Sequence, residues 1–450
     1  MNKKNRSPRT RLDQYRIFLY YLFFGGMISL AAVCYLIWWK QIPSTIKIKA
    51  GIEQTLDLQV PATGELYKEA VSVSRIQNPG ISKTTISKEA LPNTTLSREK
   101  IHINLTKPVT LKANILDEYV MDLKLFGIIP LKTVDVQVIR DRNLMPAGIP
   151  IGIYVKTKGV LVVGTGEFTD EDGNVFSPSR DLLQSGDYII RINEKDISGK
   201  SEFIEQIRHS EGQELLLEVC RGEEHLHVRV RPQMSQGGEY KIGIWVRDNA
   251  QGVGTMTYVG EHGEFGALGH GINDIDTSTL MELDTGTLYS TEIIGITKGV
   301  HGTPGELTGY IEYDPSHIIG RITENTAEGI FGNCNESLTT EHEFPTMPIA
   351  LKQEVQKGPG EILCSIDGQV RSYEIEILEL HPEHESVNRG IVVKITDPEL
   401  LNITGGIVQG MSGSPVIQNG RIVGAVTHVL VNDPTRGYGI FIENMLEAAK

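Results

Sequence analysis

The sequence predicts a mainly β protein led by one apolar helix and ending in a domain that presents a serine on a tight turn. Three observations carry this. Ile17 to Trp39 runs 23 residues without a charge. Segment after segment beyond it alternates apolar and polar residues with period 2, the pattern of half-buried strands. Near the end, Gly410-Met411-Ser412-Gly413-Ser414-Pro415 leads into Val416-Ile417, an Asn419-Gly420 turn and Ile422-Val423-Gly424-Ala425-Val426. Asn-Gly between apolar runs is a strong hairpin signal. The 450 residues exceed one compact core, and ~100–200 residues per domain implies two to four domains.

In chain order, residues 1–16 form a basic leader with a charge of +5, whereas the whole chain carries −14 and the remainder therefore about −19. An acidic body disfavours nucleic acid, which needs clustered Lys and Arg. Residues 17–39 read as a transmembrane signal anchor. At 1.5 Å per residue they span a ~30 Å hydrocarbon core. Lys3, Lys4, Arg6, Arg9, Arg11 and Arg16 precede the run, so the positive-inside rule keeps the N-terminus cytoplasmic and sends the rest outside. Leu30-Ala31-Ala32-Val33-Cys34 faintly resembles a lipoprotein cleavage box, but the apolar run continues to Trp39. Among Cys34, Cys220, Cys334 and Cys364 there is no CxxC or Cys/His ligand spacing, so metal and redox motifs are not expected. Cys334 and Cys364 could pair; buried free thiols are the plainer expectation.

Residues 40–140 read as a β-rich spacer domain, with strands expected at 46–49, 56–60, 101–105 and 134–138 and a long exposed loop at 77–99. The Asn-x-Ser/Thr triplets at Asn93, Asn104, Asn335 and Asn402 are at chance level. Residues 141–247 change texture. A glycine leads into Val160-Leu161-Val162-Val163, then come Gly186-Asp187-Tyr188-Ile189-Ile190-Arg191-Ile192-Asn193, an amphipathic stretch from Lys200 to His209 with Ser198 as its cap, and an alternating strand at 226–231. This order resembles a PDZ domain of the bacterial protease type. Such a module binds peptides by strand addition, with the edge at Gly159, Val160, Leu161 and Val162 as the expected groove.

Residues 248–450 form the third region. The turn around Ser412 exposes a hydroxyl and offers the Gly410 and Ser412 N–H groups as an oxyanion hole. A nucleophilic serine needs a base, and histidine is the side chain best poised near neutral pH. His270, in the small-residue turn Gly266-Ala267-Leu268-Gly269-His270-Gly271, is the first candidate and His428 its rival. Asp397 ends an apolar strand fifteen residues before Ser412 and is the candidate orienting acid; Asp274, Asp276 and Asp284 are alternatives.

With these residues in view, the chain resembles the stage IV sporulation protein B peptidases of endospore-forming bacteria. The resemblance rests on Ala267-Leu268-Gly269-His270-Gly271, on Gly405-Gly406-Ile407-Val408-Gln409-Gly410-Met411-Ser412-Gly413-Ser414-Pro415, and on the order anchor, spacer, PDZ, peptidase. It implies a trypsin-like double β-barrel with His270 as base, Ser412 as nucleophile and Asp397 as acid, and no metal or organic cofactor. It further implies an enzyme in the space between the forespore membranes that cleaves itself and can then be shed. It then cleaves a membrane-bound regulator of an intramembrane metalloprotease that matures a mother-cell sigma factor. The pattern departs from trypsin-like enzymes at Met411, which replaces the Asp that pairs with a new N-terminus, and at Gly406, which removes an acidic specificity pocket. A PDZ-bearing binding protein without activity and a quality-control protease are the alternative readings.

Overall fold

The computed structural model describes residues 11–68, 100–113, 115–335, 338 and 345–449. The expected loop at 77–99, Asn93, and Lys3, Lys4, Arg6 and Arg9 of the leader lie outside the described residues. The chain divides into two units, Met1–Asp141 and Arg142–Lys450.

In the first unit, helix α1 (Arg11–Gln41) contains a stretch, Tyr15–Gln41, long and apolar enough to cross a membrane. Among the strands that follow are β1 (Thr45–Lys49), β2 (Ala62–Lys68), β3 (Ile101–Asn104), β4 (Glu118–Leu125) and β5 (Ile129–Ile139). They form one sheet in the order β1-β5-β4-β2-β3, with β1 parallel to β5 and the other neighbours antiparallel. The period-2 pattern turns Ile46, Ile48, Met121, Leu123, Val134 and Val136 into one core. The strand expected at 56–60 is instead Gln54–Leu56, because Gln59 adopts φ 50°, which breaks the extended backbone.

After a short strand at Asn143–Pro146, the second unit continues with β6 (Pro150–Thr165), a 16-residue strand. A small module follows: β7 (Tyr188–Ile192), helix α2 (Lys200–His209), β8 (Leu215–Arg221) and β9 (Glu224–Val230). Helix α2 buries Phe203 and Ile207, as its amphipathic spacing predicts. Its N-cap is Gly199 rather than Ser198, whose hydroxyl and N–H both donate to Glu202. Next come β10 (Ile244–Val259, again 16 residues), β11 (Glu264–Ala267), β12 (Leu283–Thr297), β13 (Ile318–Thr326) and β14 (Gly329–Cys334).

The registers close a six-stranded barrel from the first half of β6, the second half of β10, then β11, β14, β13 and β12, which returns to β6. Ile151 pairs with Gly254, and Val155 with Gly286. The PDZ-like module therefore sits, in sequence, between the first and second strands of this barrel. The sequence reading divided the chain at 247/248; the pairing adds residues 150–157 to the barrel.

The second barrel is contiguous. It comprises β15 (Gly358–Ser365), β16 (Val370–Leu380), β17 (Ile391–Ile395), β18 (Pro415–Gln418), β19 (Arg421–Leu430) and β20 (Asp433–Phe441), closed in the order β15-β16-β17-β20-β19-β18. Alternating residues Tyr373, Ile375, Ile377 and Ile391, Val393, Ile395 fill it. Asn419 and Gly420 take φ 52° and 70° between β18 and β19, the left-handed pair a two-residue hairpin turn requires. Helix α3 (Pro398–Thr404) precedes the serine turn. All four cysteines, Cys334 and Cys364 included, are free.

Candidate active site

Ser412 lies on the turn between α3 and β18. Gly413 has φ 98°, and a Cβ there would stand 1.9 Å from the Thr255 carbonyl oxygen, so the turn needs glycine to approach the other barrel. Strand β10 of the first barrel grips the turn through three carbonyls. The Thr255 N–H donates to the Ser412 carbonyl (2.9 Å), the Thr255 hydroxyl to the Gly410 carbonyl (2.8 Å), and the Thr257 hydroxyl to the Gly413 carbonyl (2.8 Å). The Gln409 carbonyl accepts from the Leu307 N–H (2.8 Å). In a trans peptide the N–H points the opposite way, so the Gly410 N–H faces away from Leu307. Among the described residues, neither the Gly410 nor the Ser412 N–H donates to another protein group.

His270 follows β11 on a turn in which Leu268 and Gly269 take φ 68° and 69°. A Cβ on Gly269 would meet Thr427 Cγ2 at 2.8 Å, so the turn packs directly on the second barrel. His270 Nδ1 lies 2.9 Å from the Gly271 carbonyl. A carbonyl only accepts, so Nδ1 carries the proton and the Nε2 lone pair is left to act as a base. Burial pushes the His270 pKa below the ordinary histidine value, partly offset by the Gly271 carbonyl.

One cavity of about 380 Å³ is lined by His270, Gly271 and Leu268 of the first barrel and by Gly410, Ser412 and His428 of the second. Ser412 and His270 are thus brought together. The Ser412 hydroxyl donates to the Thr427 carbonyl (2.7 Å). The His428 ring centroid is 5.0 Å from that of His270. Burial, then His270, then Arg389 push the His428 pKa down to about 4.

Asp397 is not part of this cluster. It is the N-cap of α3, accepting from the Leu400 N–H (2.9 Å), and it also accepts from the Glu374 N–H (3.4 Å). It does not line the cavity. Asp-Pro at the mouth of a helix is capping chemistry, with Pro at the first helical position. Asp274 is buried and held by Arg247 (2.5 Å) and by the N–H groups of Asp276 (3.0 Å) and Thr277 (2.9 Å). Asp276 also pairs with Arg247 (2.7 Å), and Asp284 is exposed. The group on Nδ1 of His270 is a peptide carbonyl, which no side-chain motif announces.

The expected peptide groove at Gly159, Val160, Leu161 and Val162 is interior. Val160, Leu161 and Val162 are each 0% exposed. Their strand is paired on one edge with Tyr188 and Ile189 and on the other with Val246 and Arg247. Gly159 is a packing glycine, since a Cβ there would stand 2.2 Å from the Ile189 carbonyl. A groove of about 460 Å³ lies instead between α2 and the start of β10, lined by Phe203, Ile204 and Ile207 against Ile242, Gly243 and Ile244. Residues 244–247 pair only with β6, so their other edge carries no strand among the described residues. The signal that finds it is Ile242-Gly243-Ile244, an apolar-Gly-apolar turn at φ 73° that enters a strand.

Solved structures similar to this chain include the PDZ domain of an SdrC-like protein from Listeria monocytogenes (23% identity, 20% of this chain and 87% of that chain, TM-score 0.17). Others are the Rv3671c protease from M. tuberculosis in its active form (16%, 44% and 74%, 0.24) and the HtrA-type protease AlgW with a decapeptide (8%, 67% and 63%, 0.28). No curated protein matches the chain. Residues 238–446 match the family described as SpoIVB peptidase S55. Over that stretch, less than half of the chain, it is similar to the SpoIVB peptidases, and the chain is a serine peptidase.

Proposed function

We propose that this chain is a membrane-tethered endopeptidase, acting outside the cytoplasm, in which His270 activates Ser412. The observation that carries the reading is that both side chains line one cleft between the barrels, beside two amides with no protein acceptor. The Ser412 hydroxyl leaves the Thr427 carbonyl, passes its proton to Nε2 of His270 and attacks a peptide carbonyl. The oxyanion is held by the Gly410 and Ser412 N–H groups, each worth ~10²–10³ in turnover for such donors. His270 then protonates the leaving amine, and water repeats the cycle on the acyl-enzyme.

Helix α1 serves as the anchor, supported by its length and the basic residues before it. The groove beside α2 takes a peptide as an added strand along 244–247, with N–H groups of the Ile242–Ile244 turn receiving a chain end. The sporulation setting comes from the family: self-cleavage, then cleavage of a membrane-bound regulator of an intramembrane metalloprotease, between the forespore membranes. In a cell making full-length chain, N-terminal sequencing of fragments present with wild type and absent with Ser412→Ala identifies the cut sites. Self-cleavage persisting in Ser412→Ala at the wild-type rate overturns the assignment of the nucleophile. Indiscriminate digestion of a loosely folded substrate replaces signalling with quality control.

A further inference from the structure

We infer that Asn325 is the positioning residue of the catalytic histidine, acting through the Gly271–Ile272 peptide in the place where a carboxylate was expected. This rests on the reading of His270 as base. Asn325, on β13, uses its amide as a two-sided clamp. Its Oδ1 accepts from the Ile272 N–H (2.8 Å), and its Nδ2 donates to the Ile272 carbonyl (3.0 Å) and the Met281 carbonyl (3.0 Å). The Ile272 N–H belongs to the same planar peptide unit as the Gly271 carbonyl, and in the trans form the two point in opposite directions. That carbonyl is the group beside His270 Nδ1. The result is one unbroken chain: imidazole Nδ1–H to the Gly271 carbonyl, across the peptide, and from the Ile272 N–H to Asn325 Oδ1.

Two consequences follow from this chain. Fixing the peptide plane fixes the direction of the Gly271 carbonyl and hence the imidazole. Linked hydrogen bonds also polarise one another, so Oδ1 makes the Gly271 carbonyl a better acceptor for an imidazole gaining charge. The clamp is specific to an amide. An aspartate in the same shape has no donor and would set its oxygens against two carbonyls. Glycine at 271 is required for the close approach, because a Cβ there would lie 2.4 Å from the Thr326 carbonyl, next to Asn325.

The test uses full-length protein in detergent and a serine-reactive fluorophosphonate, which needs no knowledge of the substrate. Ser412 displaces fluoride from phosphorus, and the serine proton leaves by way of His270. Asn325→Leu keeps approximate volume and removes the clamp. It is expected to label about 10²-fold more slowly per folded molecule, the scale of a ~1 Å misplacement. Its acid limb should also move up toward the ordinary histidine value as water reaches the loosened ring. A merely structural role would lower the folded fraction and leave the limb in place. Labelling within about threefold of wild type with an unmoved limb overturns the inference, provided His270→Ala abolishes labelling. If His270→Ala labels like wild type, the base assignment fails instead. Should Asn325→Leu not fold, ¹⁵N shifts of the wild-type protein decide: a His270 protonated on Nδ1 supports the relay, and one protonated on Nε2 overturns it.

Discussion

The second barrel runs without interruption from Gly358 to Phe441, and each strand finds its neighbours within that stretch. The first takes one strand from residues 150–157, leaves for the PDZ-like module, and resumes in the second half of β10. The contiguous barrel carries Ser412; the interrupted one carries His270. The interrupted barrel also does the holding, through Thr255 and Thr257 on the serine turn. The contrast teaches that the precision of the site depends on a strand whose other half belongs to the PDZ-like module.

That dependence can be broken at the grip itself. Gly413→Ala forces a Cβ toward the Thr255 carbonyl at φ 98°. Turnover should fall about 10²-fold, with a lowered thermal midpoint; unchanged turnover would show that the barrels do not need this approach. Thr255→Val keeps the N–H bond to Ser412 and removes the hydroxyl bond to Gly410. It should cost about 1 kcal/mol in denaturant unfolding and a smaller loss of rate than Gly413→Ala.

The imidazoles sharpen the comparison through pH. Depressed by burial, His270 stays neutral below the ordinary histidine value, so the acid limb of activity should lie below pH ~6.5. His428 titrates near pH 4 when folded and near 6.5 when unfolded, so the unfolded chain binds the extra proton between those values. Stability should therefore fall as pH drops from about 6.5 to about 4, and His428→Gln should flatten that slope in thermal melts. The smallest effect is expected at Asp397. Replacement by Asn, an equal cap, should change neither stability nor turnover. Asp397→Ala should cost about 1 kcal/mol with turnover per folded molecule within about threefold. A large rate loss in Asp397→Asn would restore it as a catalytic acid.

What was legible was local. The glycines around Ser412, the small-residue turn before His270, the Asn419-Gly420 hairpin and the amphipathic helix at 200–209 each write their structure into a few adjacent residues. What was not legible depends on pairing between distant strands. Nothing near Ile153 states that it pairs with Gly252 and Leu288, so the barrel's first strand passed as part of the module. The same blindness buried the expected groove at Val160 to Val162 and hid the one at Ile242 to Ile244. Asp397 was read from its distance to Ser412, although Asp-Pro equally writes a helix cap. The acceptor for His270 is backbone and has no letter in the sequence.

The placing of the module has a practical consequence for anyone handling the peptidase alone. A recombinant piece beginning at 248 would lack the stave supplied by residues 150–157 and leave the barrel with two raw edges, an invitation to stick to its neighbours. The PDZ-like module has to be snipped out from within and the ends of β6 and β10 rejoined by a short turn.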